Sequence, residues 1–309
     1  MRIINDIGPI SFERCSVVTI GTYDGIHAGH KSVLDKLVEA AKSNNCQSVV
    51  VTFYPHPRFV LYPEQKDLKL IDTEEEKLEK FIEMGIDVLV VIPFSKDFAA
   101  TPYAEFVENV LVKKLRIKKF ILGRDHKFGK QREGNLQALL ALGDKYNFSI
   151  EYVTTTEYDG QEISSTKIRK AIAAGTVDTA GYMLGSFFSV RAKVISGQKI
   201  GQKIGFPTAN LLVEHPDKLI PGEGVYAVKV KHNNTLYKGM LNIGKNPTAS
   251  HDDKLKIEVH IFDFHKNIYN DTIQVYFVKR IRNEMKFNSF DLLQKQLFED
   301  KKTAETLLD

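Results

Sequence analysis

Two uninterrupted runs, SVVVTF at 48–53 and DVLVVI at 87–92, constrain this chain more than any other feature. A strand with one wet face alternates polar and apolar residues, whereas a strand that is apolar throughout is covered on both faces. Similar short runs recur at Val17–Gly21, Phe120–Gly123 and Ser149–Val153. Between and after them lie helical patterns at Lys31–Lys42, Glu74–Met84, Tyr103–Leu115, Leu136–Tyr146 and Lys167–Ala174. Buried strands alternating with helices predict an α/β domain, a parallel sheet wrapped by helices.

After Gly185 the pattern changes. Strands are predicted at Phe187–Ser196, Val225–Lys231, Leu236–Asn242, Ile257–Phe264 and Thr272–Ile281, with turn residues between them. Ile257, Val259 and Ile261 fall on one face of their strand and Glu258, His260 and Phe262 on the other. A mostly β barrel closed by a terminal helix near Phe290–Glu299 follows. The expected domains are therefore 1–185 and 186–309. The doubled GQKI at 197–204 is too short for a structural repeat and reads as a glycine-containing loop.

Composition narrows the function. The chain has 309 residues, enough for two cores, and its 43 basic and 39 acidic residues leave a net charge of only +4. No basic run or basic helix stands out, which argues against a nucleic-acid binder. The longest apolar stretch, Val88–Phe94, is too short to span a bilayer, and the N-terminus lacks the apolar run of a signal peptide. Cys15 and Cys46 form neither a CxxC pair nor a metal-ligand pattern, so a reducing compartment is the simpler reading and a cytoplasmic location is expected.

The sharpest motif is VVTIGTYDGIHAGHKSVLDKL at 17–37. A buried strand ends at Gly21, a turn rich in glycine follows, and a helix begins near His30. Gly21, Gly25 and Gly29 let the backbone turn tightly and approach a ligand closely. The new helix presents free N–H groups and the positive end of its dipole, which suits phosphate. His27 and His30 bring two imidazoles to the same place. An HxxH spacing can also bind zinc, but no flanking Glu or third ligand accompanies this one.

GTYDGIHAGH resembles the HxGH signature of the nucleotidyltransferases, whose fold is Rossmann-like. With it come TFYPHP at 52–57, GRDHKFG at 123–129 and ISSTKIR at 163–169, in the order found in the bacterial bifunctional riboflavin kinase/FAD synthetases. The likeness runs from about Ser16 to Thr303. His126 stands where that family usually has Phe. The resemblance implies transfer of AMP from ATP to FMN, giving FAD and pyrophosphate. It assigns His27, His30 and Arg169 to catalysis, and Gly21, Asp24, Gly25, Gly29, Asp125, Ser164, Ser165 and Thr166 to ATP. Phe53, Pro55, His56, Pro57 and Phe128 would line the flavin side. Taken singly, SST before a helix is an N-cap and Asp125 a turn residue; only their joint occurrence argues otherwise.

The second half carries its own motifs. GFPTANL at 205–211 resembles the riboflavin kinase signature, and IEVHIFDF at 257–264 its E-V-H strand. The resemblance implies Thr208 and Asn210 as oxygen ligands of magnesium and Glu258 as general base toward the ribityl hydroxyl. ATP, FMN and riboflavin are the implied substrates and Mg2+ the implied ion, with no nucleic-acid or membrane partner. No Walker A sequence is present. Four positions where the family usually carries arginine hold Ser186, Ile200, Gln202 and Asn246, so a weakened kinase is expected, with Lys199, Lys203 or Lys245 as partial substitutes. The alternatives are a fully active bifunctional enzyme, a flavin-binding regulatory protein without turnover, and a nucleotidyltransferase for another acceptor.

Overall fold

In a computed structural model the described residues are 1–5, 8, 11–65, 67–123, 136–154, 157–158, 160–197, 200–245 and 255–309. The chain divides into two compact units, Met1–Ile163 and Ser164–Asp309.

The first unit runs β1 (Arg2–Ile4), β2 (Ser16–Ile20), α1 (Ala28–Ser43), β3 (Gln47–Tyr54), α2 (Pro57–Leu61), α3 (Glu74–Glu83) and β4 (Val88–Pro93). It continues with α4 (Lys96–Ala99), α5 (Tyr103–Phe106), β5 (Ile117–Gly123), α6 (Leu136–Tyr146), β6 (Ser149–Val153) and a small hairpin of β7 (Glu157–Tyr158) and β8 (Gln161–Glu162). Six strands form one sheet in the order β1-β4-β3-β2-β5-β6, and every pairing is parallel. The apolar runs behave as expected: Val17, Val49, Val50, Val51 and Val90 are fully buried. One core lies on each face, Val18, Val49 and Phe120 on one side and Val17, Leu34 and Phe81 on the other.

Strand order reverses at β2, which has β3 on one side and β5 on the other. In open α/β sheets, ligands bind at the carboxyl ends of strands where the order reverses. The glycine turn after β2 occupies that position.

The predicted strands and helices of this half are present; α2, α4 and the β7–β8 hairpin come in addition, and three further features were not foreseen. β1 was not anticipated, because three residues carry no periodicity. The helix expected over Tyr103–Leu115 changes winding after α5: Val107–Val112 is a π-helical stretch, with Lys113 N–H bonded to Glu108 O and Leu115 N–H to Val110 O. Cys15 and Cys46 are joined by a disulfide, Cα–Cα 4.9 Å. The parallel register of β2 on β3, Ser16 opposite Gln47, sets the residues that precede them side by side.

The second unit runs α7 (Ser165–Ala173), α8 (Val177–Leu184), β9 (Phe188–Ile195), α9 (Ile200–Lys203), β10 (Ala209–Leu212), β11 (Gly224–His232), β12 (Thr235–Lys245), β13 (Leu255–Ile261), β14 (Thr272–Arg282) and α10 (Phe290–Leu308). Six strands close into an antiparallel barrel in the order β10-β13-β12-β11-β14-β9. Barrel closure is completed by β10, whose four residues pair with β9 and β13. α8, also unforeseen, packs on β9 and β14, and its end is set by Gly185 in the left-handed conformation. α10 extends nine residues past the expected end at Glu299, because Ala304 and Leu308 are buried against Phe206, Met240 and Phe262.

Among the described residues no helix is long and apolar enough to cross a membrane.

Candidate active sites

The glycine turn of the first unit is a rigid object. Gly25 has φ +68°, and a Cβ there would lie 2.7 Å from the Ile71 side chain, so only glycine fits. Asp24 is buried and accepts the backbone N–H of Ile71 (2.8 Å) and of Asp72 (3.1 Å). Asp72 reciprocates by accepting the Ile26 N–H at 3.3 Å, and it is ion-paired with Lys80 at 2.7 Å. Lys77, also buried, donates to the Thr22 carbonyl at 3.3 Å. Residues 22–26 are therefore clamped to the segment that leads into α3, itself started by the Thr73–Glu76 capping box.

Tyr23 anchors the centre of the turn. Its hydroxyl is hydrogen-bonded to Thr19 Oγ1 at 2.9 Å, and its ring meets His30 and Phe81 at centroid distances of 5.0 and 5.5 Å. Burial holds the phenol well above its usual range.

His27 is the N-cap of α1, and its Nδ1 accepts the His30 N–H at 3.3 Å. Since Nδ1 accepts, the neutral ring carries its proton on Nε2. His30 is oriented the other way: Nδ1 bonds the Gly25 carbonyl at 3.3 Å and must donate, because a carbonyl can only accept. Burial, reinforced by His30, pushes His27 down to about 3. Burial also lowers His30 to about 4, against the upward pull of the Gly25 carbonyl, Asp24 and Asp72. Both imidazoles are neutral at pH 7, one showing an N–H donor at Nε2 and the other a lone pair. No acidic residue occupies the first turn of α1, which leaves the helix dipole unopposed there.

Several other predicted residues are accounted for. Gly21 packs against the Tyr23 ring and Gly29 is buried in the first turn of α1. Asp24 is committed to the clamp. Phe53 joins Phe94 and Phe98 in an aromatic cluster at the carboxyl ends of β3 and β4, with centroids 5.5 to 5.8 Å apart. A cis peptide joins Tyr54 to Pro55, His56 caps α2 through Nδ1 to the Arg58 N–H (3.2 Å), and Pro57 opens that helix. Asp125 and Phe128 lie outside the described residues. Ser164 caps α7 by accepting the Lys167 N–H at 3.4 Å, with Ser165 and Thr166 in the first turn and Arg169 one turn on. This helix belongs to the second unit: the Gly222 N–H donates to Ile172 O, and the Arg280 guanidinium to Ala174 O.

The second unit holds a cavity of about 250 Å³ between the barrel wall and α10, lined by Thr208, Asn242, Lys256, Glu258, His260 and Arg282 among others. Register explains the convergence: Asn210 of β10 and Asn242 of β12 both stand opposite Glu258 of β13. The His260 ring bonds the Pro207 carbonyl at 2.7 Å and ties the two motif strands together. Asn210 is buried beneath Gly197, where any Cβ would collide with the carboxamide. Arg282 is held by Asp300 through three contacts of 2.7 to 3.1 Å.

Of the four positions lacking arginine, Ser186 and Gln202 are exposed, the side chain of Ile200 is outside the described set, and so is Asn246. Sequence reasoning missed Tyr23, Asp72, Lys77, Phe94, Phe98, Lys256 and Arg282. Only Asp72 had a local signal, the capping box that follows it.

A clamped HxGH turn in one unit and converging Thr208, Asn242 and Glu258 in the other are matched by two protein families: FAD synthetase over residues 10–167 and riboflavin kinase over residues 184–308. The chain belongs to the bifunctional riboflavin kinase/FMN adenylyltransferase family. Relatives of that name from Buchnera aphidicola of Schizaphis graminum and from Escherichia coli K12 are 37% and 36% identical. The first match covers 92% of this chain and 91% of the relative, the second 98% and 96%. A crystal structure of a protein called a macrolide-efflux protein, from Streptococcus pneumoniae, superposes with a TM-score of 0.90 at 33% identity, covering 98% of each chain.

Proposed function

We propose that this member of the family transfers AMP from ATP to FMN through residues 1–185 and phosphorylates riboflavin, more slowly, through residues 186–309. The observation that carries the first activity is the pair of neutral, stacked imidazoles at the N-terminus of α1. In the reaction, an FMN phosphate oxygen forms a bond to the α-phosphorus while the bond to the β-phosphate oxygen breaks and pyrophosphate leaves. No covalent enzyme intermediate is required, so positioning and charge stabilisation dominate. His27 Nε2–H donates to a phosphate oxygen. His30 Nε2 becomes a donor when it takes up a proton, which the arriving phosphate charge favours. Ser164, Ser165, Thr166 and Arg169 are the proposed donors to the β- and γ-phosphates, and the Phe53–Pro57 loop is the flavin side.

For the kinase, Glu258 lining a cavity with Thr208 supports its role as base, and the proposed weakening rests on the four positions without arginine. Thr208 and Asn210 offer neutral hard oxygens, a donor set that suits magnesium carried on ATP better than a tightly held resident ion. When bound, that ion neutralises phosphate charge. A fully active kinase is the second reading, favoured by the convergence on Glu258.

The deciding experiment gives the purified chain magnesium-ATP with either riboflavin or FMN and separates the products chromatographically. FAD from FMN, with slower FMN from riboflavin, is expected. No FAD from FMN overturns the main reading and favours a flavin-binding protein without turnover.

A further inference from the structure

We propose that Lys256 supplies the positive charge that faces the transferring phosphoryl group in the barrel unit, in the absence of the family's arginines. The inference rests on the kinase reading given above. Of the lysines expected from sequence to serve here, Lys199 and the side chain of Lys203 lie outside the described residues and Lys245 is 4.0 Å from Glu223. Among the described residues the cation beside the base is Lys256. Lys256 and Glu258 are two apart on β13 and leave the same face of the strand. Lys256 Nζ lies 3.1 Å from Glu258 Oε1, and both side chains line the cavity.

The neighbouring charges leave this role to Lys256 among the described residues. Arg282, the other cation lining the cavity, has Nε and Nη2 bonded to the buried Asp300 and Nη1 bonded to the Asn283 carbonyl at 2.9 Å. His260 commits Nδ1 to Pro207, and burial lowers its proton affinity. Glu284 lies over Gly244, the residue opposite Lys256 in the register, and adds a second negative charge. Two carboxylates in one small cavity would repel a triphosphate, and Lys256 offsets that repulsion where it is strongest.

The ammonium lies near the reacting atoms. A general base works within about 2.6–3.2 Å of the oxygen it deprotonates. That oxygen must lie about 3–3.5 Å from the phosphorus it attacks. An ammonium 3.1 Å from the base is thus within about 10 Å of the phosphorus, a gap that lysine's flexible four-carbon stem can close toward the equatorial oxygens. In the step itself the ribityl O–H proton passes to the Glu258 carboxylate and the freed oxygen bonds to the γ-phosphorus. The bond from that phosphorus to the β-phosphate oxygen breaks, and ADP leaves.

The test uses the full chain and three variants, Lys256→Gln, Lys256→Arg and Glu258→Gln, each assayed with magnesium-ATP for FMN formation from riboflavin and FAD formation from FMN. A charge acting on the transferring group is expected to appear in kcat: Lys256→Gln lowers riboflavin phosphorylation by about 10²-fold or more, within the range an arginine in that role is worth or somewhat below it. The KM for riboflavin changes by less than about threefold under the same reading. Lys256→Arg restores most of the rate, which a packing role would not predict, and FAD formation is unchanged throughout. Wild-type kcat in Lys256→Gln beside an inactive Glu258→Gln overturns the inference alone, as does a loss confined to KM. A wild-type chain that makes no FMN from riboflavin overturns the kinase reading, and the inference with it.

Discussion

The rings of His27 and His30 are stacked, with centroids 3.7 Å apart and planes 18° from parallel. Burial lowers the proton affinity of both rings, and His30 lowers that of His27 further, so two neutral rings can stack at a spacing two cations would not tolerate. The arrangement holds both rings at the first turn of α1, with His27 as its N-cap.

Replacing His30 by alanine is expected to lower kcat for FAD formation by about 10²–10³-fold, the usual cost of one preorganised donor. Circular dichroism should report an unchanged fold, since the N-cap of α1 is His27 and survives the change. Near-normal FAD synthesis by the folded variant would remove His30 from the chemistry.

Acid should destabilise the protein through the same pair. Folded values of about 3 and 4 lie below the unfolded value near 6.5, so the unfolded chain binds more protons between them. Stability contributed by these groups is full above pH 6.5 and is lost as pH falls from there toward 4. Urea midpoints measured from pH 7.5 to 4.5 should decline, and His30→Gln should flatten the decline. An identical slope in that variant would show that other groups control it.

Asp24→Ala is expected to cost about 1–3 kcal/mol, because it removes the carboxylate that accepts the buried N–H groups of Ile71 and Asp72. It should also reduce FAD formation more than its loss of stability explains, since the turn bearing His27 and His30 loses its clamp. Denaturation and kinetics on the same preparation separate the two effects. Full activity in a destabilised variant would make the clamp purely structural.

In the barrel, Asp300→Ala leaves the Arg282 guanidinium without its main partner. The carboxylate is 1% exposed and the arginine side chain 16%. Breaking such a pair from one side costs about 3–5 kcal/mol. Replacing both residues, as in Arg282→Met with Asp300→Leu, should recover much of that stability while impairing FMN formation, because Arg282 borders the cavity. Additive losses in a double-mutant cycle would contradict the coupling.

What the sequence determined by itself was whatever depends on neighbours along the chain. Runs such as 48–53 and 87–92 are apolar on both faces and can only be interior strands. The alternation at 257–262 places Glu258 on the face opposite Ile257, Val259 and Ile261 in any register, and the glycines around His27 and His30 define a turn before a helix. What only the tertiary structure decided depends on residues far apart in sequence. The clamp between Asp24 and residues 71–72 spans 47 and 48 positions, and neither partner looks special alone. β10 became a strand because β9 and β13 offered it edges, not because four residues favour extension strongly. Cys15 and Cys46 were paired by the register of two parallel strands, which composition does not encode. The ring proton of each histidine is settled nearer by, since the His30 N–H three residues on and the Gly25 carbonyl five residues back dictate which nitrogen donates, but only the folded turn brings them together.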